Sequence, residues 1–349
     1  MGFWAWLTGQ NSGPTADVGA TGENYSAPHG AGETASAVAD ADEARTETPW
    51  WAPGNACRLE PIPPERPELA TEARALESLL ISHFDGHDLN MPPLAVVAVR
   101  TLNLLRKSDC DLRVVADTIA EDQVIAASVL RMTNSPLYRG VNKITALRPA
   151  VARLGTRALH TLMMHESLRA ATFHGANRNS ELARMLWRAS LASAYVMREL
   201  SRFTTLNEED AFLLGLLHDI GNVVVLRIAL TQERYTRYEI DVDTFDYLCF
   251  ECHQEFGELV ADQWELPDTM RALISNHHTW PAADDPLRSE RLQLQLTDMI
   301  CAMLGYTPPA SYDLLASPAA RDLALSDRRD FTAFLDGLRD RVAEVTDTL

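Results

Sequence analysis

From about residue 67 onward the apolar positions repeat with a helical period. Leu112, Val115 and Ile119 recur at i, i+3 and i+7, and Ile125, Val129 and Met132 at i, i+4 and i+7. Phe245, Leu248, Cys249, Cys252, Phe256, Leu259, Val260 and Trp264 keep one face apolar for more than five turns. Asp109 or Asp111 can cap one helix and Asp122 the next. No segment alternates convincingly with period two, and Val223-Val224-Val225 sits inside a longer apolar run that reads as buried helix. The pattern predicts an all-α fold. Breaks are expected at Met91-Pro92-Pro93, Asn134-Ser135-Pro136, Gly140, Gly155, His174-Gly175, Leu266-Pro267, Pro281 and Pro308-Pro309. Leu292, Leu296, Met299 and Met303 form a further stripe, and Asp330 to Leu349 reads as one final amphipathic helix. That C-terminal part either closes the domain or pairs with a partner; closing the domain is the favoured reading.

Residues 1–66 break the pattern. They are rich in Gly, Ala, Ser, Thr, Pro and Glu and hold nine acids against three Arg. Such a segment cannot bury enough apolar surface to offset chain entropy, so disorder is expected. Two aromatic spots interrupt it. Phe3, Trp4, Trp6 and Leu7 form a tip that either docks on its own domain or touches a membrane or partner from a flexible tether. Trp50-Trp51 invites the same alternatives. The expected division is a tail over 1–66, a helical domain over 67–285 and packed C-terminal helices over 286–349.

Charge and cysteine content narrow the class. The 349 residues carry 31 basic and 49 acidic side chains, a net charge of −18. That balance disfavours nucleic acid as a partner. Of the basic residues only Lys107 and Lys143 are lysines. Cys57, Cys110, Cys249, Cys252 and Cys301 are too few and too scattered for a disulfide framework, which fits a reducing cytoplasm. No apolar run approaches the roughly 18–20 residues needed to span a bilayer. The N-terminus lacks a basic region and a long enough apolar stretch for a signal peptide, and Trp6 breaks the myristoylation pattern.

The chemistry concentrates in Phe212-Leu-Leu-Gly-Leu-Leu-His-Asp-Ile-Gly-Asn222. A His-Asp pair inside a helix apolar on nearly every side must find partners, because an unpaired buried imidazole or carboxylate costs several kcal/mol. A divalent metal or a hydrogen-bond network can supply them.

At this point a resemblance is plain. The chain is similar to the HD superfamily and more narrowly resembles the HDOD output domain of bacterial signalling proteins. The resemblance runs over about residues 88–282. It is carried by Met91-Pro-Pro-Leu94, Asp111 through Ser135, Leu147 through Gly155, Leu186-Trp-Arg-Ala-Ser190, Gly215 through Gly221, His253-Gln-Glu-Phe-Gly257, Trp264-Glu-Leu-Pro267 and Ile274-Ser-Asn-His-His278. It implies a compact multi-helix domain and a set of metal ligands that, carried over one at a time, are His218, Asp219, His253, His277, His278 and Asp298. The last lies in Leu294-Gln-Leu-Thr-Asp-Met-Ile300.

Two departures count against hydrolysis. The first-helix ligand of catalytic relatives, two residues after Trp187, is Ala189, which by its helical face should point inward. A methyl group binds no metal. Asn222 stands where a phosphate-meeting Lys is often found, which gives up a charge-assisted contact. These ligands are therefore expected to be vestigial, with no cofactor required, although Fe, Mn or Zn suits the donor set. If His160 or His165 reached the Ala189 position, the enzyme reading would revive.

The remaining motifs favour structural roles. Cys249-x-x-Cys252 lies on the apolar stripe of one helix with no second pair nearby, which favours core packing. Asn134-Ser-Pro-Leu-Tyr138 resembles a family signature but reads locally as a helix stop. Met163-Met164-His165 reads as core. The resulting expectation is a cytoplasmic, non-catalytic regulatory module that binds other signalling proteins, gated by a small-molecule effector in the former cleft. The alternative is a metal-dependent phosphohydrolase or cyclic-dinucleotide phosphodiesterase. A third reading is a scaffold tethered through Trp4 and Trp6. No receiver, kinase or diguanylate cyclase pattern is visible, so input is expected from outside this chain.

Overall fold

The computed structural model describes residues 49–51, 71–85, 96–107, 109–134, 138, 142–173, 181–236, 240–308, 310 and 312–346. The aromatic tip Phe3, Trp4 and Trp6 lies outside them. The described residues are helical and contain no β-strand. In chain order the helices are α1 (Thr71–Asp85), α2 (Val96–Leu105), α3 (Leu112–Ile119), α4 (Gln123–Asn134), α5 (Leu147–Phe173), α6 (Glu181–Leu200), α7 (Glu208–Leu217), α8 (Gly221–Thr236), α9 (Val242–Gln263), α10 (Asp268–Ile274), α11 (Arg288–Leu304), α12 (Pro318–Asp322), α13 (Arg329–Asp336) and α14 (Leu338–Thr346). A short 3₁₀ turn, Ser201–Phe203, follows α6.

Polar side chains set several of these boundaries. Asp111 is the residue that caps α3, accepting from the Arg113 amide, and Asp122 accepts from the Val124 and Ile125 amides at the start of α4. Asn207 caps α7 and Asp241 caps α9. Asn134 ends α4 as a local stop. Its Nδ2 donates to Leu130 O and Ile144 O, and its Oδ1 accepts from the Ile144 amide. Gly155, at φ 72°, kinks α5.

Helices α6 and α7 pack closely, and so do α8 and α9. Both approaches pass through glycine. A Cβ on Gly215 would lie 2.5 Å from Ser193 O and 2.7 Å from Met197 Cβ of α6. A Cβ on Gly221 would strike the His253 carbonyl oxygen and sit 2.8 Å from Gly257 N. Only a residue without a Cβ allows either contact.

Three expectations need correction. His218 and Asp219 do not lie within one continuous helix. They occupy the turn between α7 and α8, where the Ile220, Asn222 and Val223 amides bond three residues back. The apolar run concealed the break because both helices are buried; Glu208–Tyr235 is apolar enough over 18 residues to cross a membrane, yet 83% of that stretch is buried inside the protein. The final amphipathic helix is two helices, α13 and α14, separated at Gly337, a poor helix former. Finally, the disorder expected over 1–66 does not extend to Trp50 and Trp51, which take the first of their two alternatives and dock on their own domain at the C-terminal helices. Trp50 Nε1 donates to Leu335 O at 3.1 Å, Trp51 Nε1 donates to Asp336 Oδ1 at 2.8 Å, and the Arg339 guanidinium lies over the Trp50 ring. Phe331, Leu335, Leu338 and Val342 are fully buried against α6 and α11, so the C-terminal helices close the domain.

Candidate metal centre

The six residues singled out in the sequence come from four places and meet. His218 and Asp219 arrive from the α7–α8 turn, His253 from the middle of α9, and His277 and His278 from the loop after α10. Asp298 projects from α11. His218, His253 and His277 are almost completely buried, while Asp219, His278 and Asp298 form a half-buried rim.

Three rings are held in the same way. Nδ1 of His218 faces Gly215 O at 2.9 Å, Nδ1 of His253 faces Cys249 O at 2.9 Å, and Nδ1 of His277 faces Ile274 O at 3.0 Å. A carbonyl oxygen only accepts, so each Nδ1 carries the proton and each Nε2 lone pair turns inward. The Nε2 atoms of His253 and His277 are then 3.2 Å apart, two lone pairs face to face. Nε2 of His218 lies 3.2 Å from Asp298 Oδ1 and 3.4 Å from Asp219 Oδ2. Asp219 Oδ1 lies 3.3 Å from His277 Nε2 and 3.6 Å from His253 Nε2. Asp298 Oδ2 is buried without a hydrogen-bond partner. A cluster with this excess of acceptors requires a positive charge at its centre, either a proton or a cation.

The electrostatics agree. Burial alone would lower the His218 pKa, but the carboxylates of Asp219 and Asp298 outweigh it and raise it to about 9. Burial would raise Asp219, but His218, His277 and His253 together hold it well below the usual carboxylate range. Burial lowers His253 and lowers His278 strongly, with neighbouring imidazoles adding to the effect. His253 and His278 are thereby held neutral, as metal ligands must be, whereas His218 holds a proton between its carboxylates that a bound cation would have to displace.

Two ligand groupings share His277: His253, His277 and His278, and His218, His277 and Asp298. Within each, one donor atom per residue lies within 4.8 Å of the others. Backbone carbonyls that fix the imidazole tautomer are the usual outer support of metal-bound histidines. The donor set of nitrogens and carboxylate oxygens therefore fits Fe, Mn or Zn.

The other candidates are placed elsewhere. Ala189 is half-buried on α6. The His165 ring packs against Trp187 at 5.0 Å and faces Glu166, while His160 is half-buried with Arg106 and Asp210 as its charged neighbours. Neither belongs to the ligand groupings. Cys249 and Cys252 are core residues, and burial pushes both thiols well above their ordinary value. Met163 and Met164 are fully buried. Phe250 stacks on His278 at the rim.

Sequence reasoning missed the residues that hold the histidine loop. On α11, Arg291 donates to Asn276 O, and Gln295 donates to His277 O and Thr279 O. The available signal was two long polar residues at i and i+4 on a helix otherwise read only for its apolar stripe.

Comparison with known proteins decides the family. The profile of the HDOD domain matches residues 91–280, more than half of the chain. The chain belongs to the HDOD-domain family. An uncharacterized protein of Treponema pallidum (strain Nichols) is 24% identical over 262 residues, 71% of this chain. The match takes up 48% of that protein, so the chain spans about half of its length. Among solved structures, an HDOD domain protein of unknown function from Geobacter sulfurreducens aligns with a TM-score of 0.59 at 22% identity, over 78% of this chain and 98% of its own. A protein from Shewanella amazonensis described as a metal-dependent phosphohydrolase aligns at 0.61 and 17%, over 78% and 100%. One from Marinobacter aquaeolei described as a signal transduction protein aligns at 0.56 and 21%, over 80% and 66%. At these identities the likeness establishes the HDOD fold.

Proposed function

We propose that this HDOD protein is a non-catalytic signalling module of the bacterial cytoplasm whose His/Asp centre holds a divalent cation. The observation that carries the cation is the 3.2 Å approach of the His253 and His277 Nε2 atoms, each with its proton committed elsewhere. His218, His253 and His277, with Asp219 and Asp298, would hold the ion, and His278 would stand at its edge. When bound, the ion supplies fixed positive charge to a buried acceptor cluster and welds the α7–α8 turn, α9, the histidine loop and α11 together. Its output would be contact with another signalling protein, and a small effector at the Asp219, His278 and Phe250 rim would modulate it.

The reading against turnover rests on Ala189 and Asn222. The Ala189 methyl has no atom that ligates a metal, and the neutral Asn222 amide cannot neutralise a phosphate as the Lys of catalytic relatives would. A hydrolase reading has one observation in its favour, the buried Asp298 Oδ2, which has no hydrogen-bond partner and lies 3.9 Å from His278 Nδ1.

One experiment separates them. Full-length protein is analysed for metal by elemental mass spectrometry, as purified and after loading with Fe, Mn or Zn, beside a His218→Ala/Asp219→Ala variant. The loaded protein is then assayed against bis(p-nitrophenyl) phosphate and cyclic dinucleotides. About one or two equivalents of metal, lost in the variant and without hydrolysis, is the expected outcome. Metal-dependent hydrolysis makes the protein an enzyme. Absence of metal after loading refutes the cation.

A further inference from the structure

We infer that one face of α11, through Arg291 and Gln295, positions the histidine loop and thereby sets the affinity of the centre; this rests on the reading of that centre as a cation site. Arg288, Arg291, Gln295 and Asp298 are spaced 3, 4 and 3 residues apart and so share one side of the helix. Each meets the segment that follows α10. Arg288 bonds the carbonyls of Pro281 and Ala282, reaches Asp322 of α12 and lies over the Trp280 ring. Arg291 Nη1 donates to Asn276 O at 2.7 Å, and its Nε donates to Asp285 Oδ2 at 2.9 Å. Gln295 Nε2 donates to His277 O at 3.3 Å and to Thr279 O at 3.2 Å. Asp298 completes the row at His218 and lies 3.9 Å from His278.

The loop is thus gripped on both sides of its two histidines. Below them the His277 ring is tied to Ile274 O at the end of α10. Around them, the Asn276, His277 and Thr279 carbonyls are tied to α11, the helix that also carries Asp298. The register between the loop ligands and Asp298 is therefore set by Arg291 and Gln295. Both are buried, at 8% and 6% exposure, so leaving their partners unpaired is costly. The chemistry is specific too. Gln295 spends both amide protons on two carbonyls, which neither Leu nor Glu can do. Arg291 spans a carbonyl and a carboxylate from one planar fork, which Lys cannot reproduce. Arg288 grips the same loop farther along, at Trp280, Pro281 and Ala282 and away from the two histidines, and serves as an internal comparison.

The test is Co(II) titration of the full-length chain, followed by visible absorption, with far-UV circular dichroism on every variant. Wild type, Gln295→Leu, Arg291→Lys and Arg288→Gln are compared. Loss of support around a ligand typically costs about 10- to 100-fold in metal affinity, and that loss is expected for Gln295→Leu. Arg291→Lys, a milder change that keeps the charge, is expected to lose about 10-fold on the same grounds. Arg288→Gln should stay within about threefold of wild type, although it too loosens the loop. Folded Gln295→Leu and Arg291→Lys proteins that bind Co(II) like wild type overturn the inference alone. Equal losses in all three variants also overturn it, since that marks general destabilisation. A wild-type protein that takes up no Co(II) overturns the cation reading and this inference with it.

Discussion

Gly221→Ala tests whether backbone approach, rather than side-chain identity alone, builds the centre. Gly221 opens α8 without a positive φ, so in isolation alanine would favour the helix by about 1 kcal/mol. Sterics point the other way. The added methyl would overlap the His253 carbonyl oxygen and lie 2.7 Å from its carbon and 2.8 Å from Gly257 N, against an optimal separation of about 3.5 Å. The obstructing atoms are main chain within the 22-residue α9 and cannot rotate aside. Overpacking of this kind costs about 1–3 kcal/mol, and a backbone obstacle places it at the upper end. The net expectation is a loss of about 1–2 kcal/mol, or roughly 2–6 °C in Tm for a domain of this size. The clash falls on the His253 peptide itself, so the 3.6 Å approach of Asp219 to His253 must open and metal affinity must fall with stability. Gly305→Ala is the control. Its φ of 81° makes alanine strained by about 1–2 kcal/mol, but nothing lies within 4 Å, so stability drops while metal binding is retained. Thermal denaturation and Co(II) titration read both effects. A Gly221→Ala protein as stable as wild type, with unchanged affinity, refutes the close-approach argument.

The cation should also be visible as stability. Metal at about 100 times its dissociation constant adds about 2.7 kcal/mol, so chelation should lower Tm by several degrees in wild type and leave Asp298→Asn/His218→Ala unmoved. Asp246 is pushed up to about 6 by burial, with Asp243 adding to it. The folded form therefore holds this proton more tightly than the unfolded chain, a stabilisation present at acid pH and lost as pH rises through about 6. Asp246→Asn should gain about 1 kcal/mol over wild type at pH 8, after discounting for its partial exposure, and nothing at pH 4; an equal effect at both values contradicts the assignment. Trp50→Ala/Trp51→Ala removes two indole hydrogen bonds and aromatic packing on α13 and α14, so urea denaturation should show a loss of about 2–3 kcal/mol. No loss would mean the pair contributes nothing to closure of the domain.

The helical class was legible because the apolar period is unbroken over most of the chain, and the caps at Asp111 and Asp122 were visible as residue types. The six converging residues were legible for a different reason. Resemblance supplied them as a set, and local pattern alone would have left His253, His277 and His278 as ordinary helix residues. What stayed hidden was whatever depends on distant chain. The turn at His218 and Asp219 is invisible in a uniformly apolar run, because buried helices on both sides leave no polar face whose phase could slip. The turn coincides with a tertiary contact, the seating of Gly221 against the His253 peptide. Trp50 and Trp51 sit in a polar stretch where composition argues for disorder, and only the Leu335 carbonyl and Asp336 carboxylate, 285 residues away, explain their order.

These failures share a physical origin that bears on the centre itself. Its ligands are spread over about 80 residues, from His218 to Asp298, and no single helix orders more than one of them outside the His218–Asp219 turn. Precision must come from contacts between elements: Gly215 against α6, Gly221 against α9, and Arg291 and Gln295 against the histidine loop. Such contacts are made of backbone and neutral or outward-reading side chains, which carry no metal-ligand signature. A substitution like Ala189 removes a donor and leaves every one of these contacts in place. On the proposed reading, loss of catalysis and retention of the cation are therefore separable, because the contacts that would hold the ion's ligands in register do not pass through Ala189.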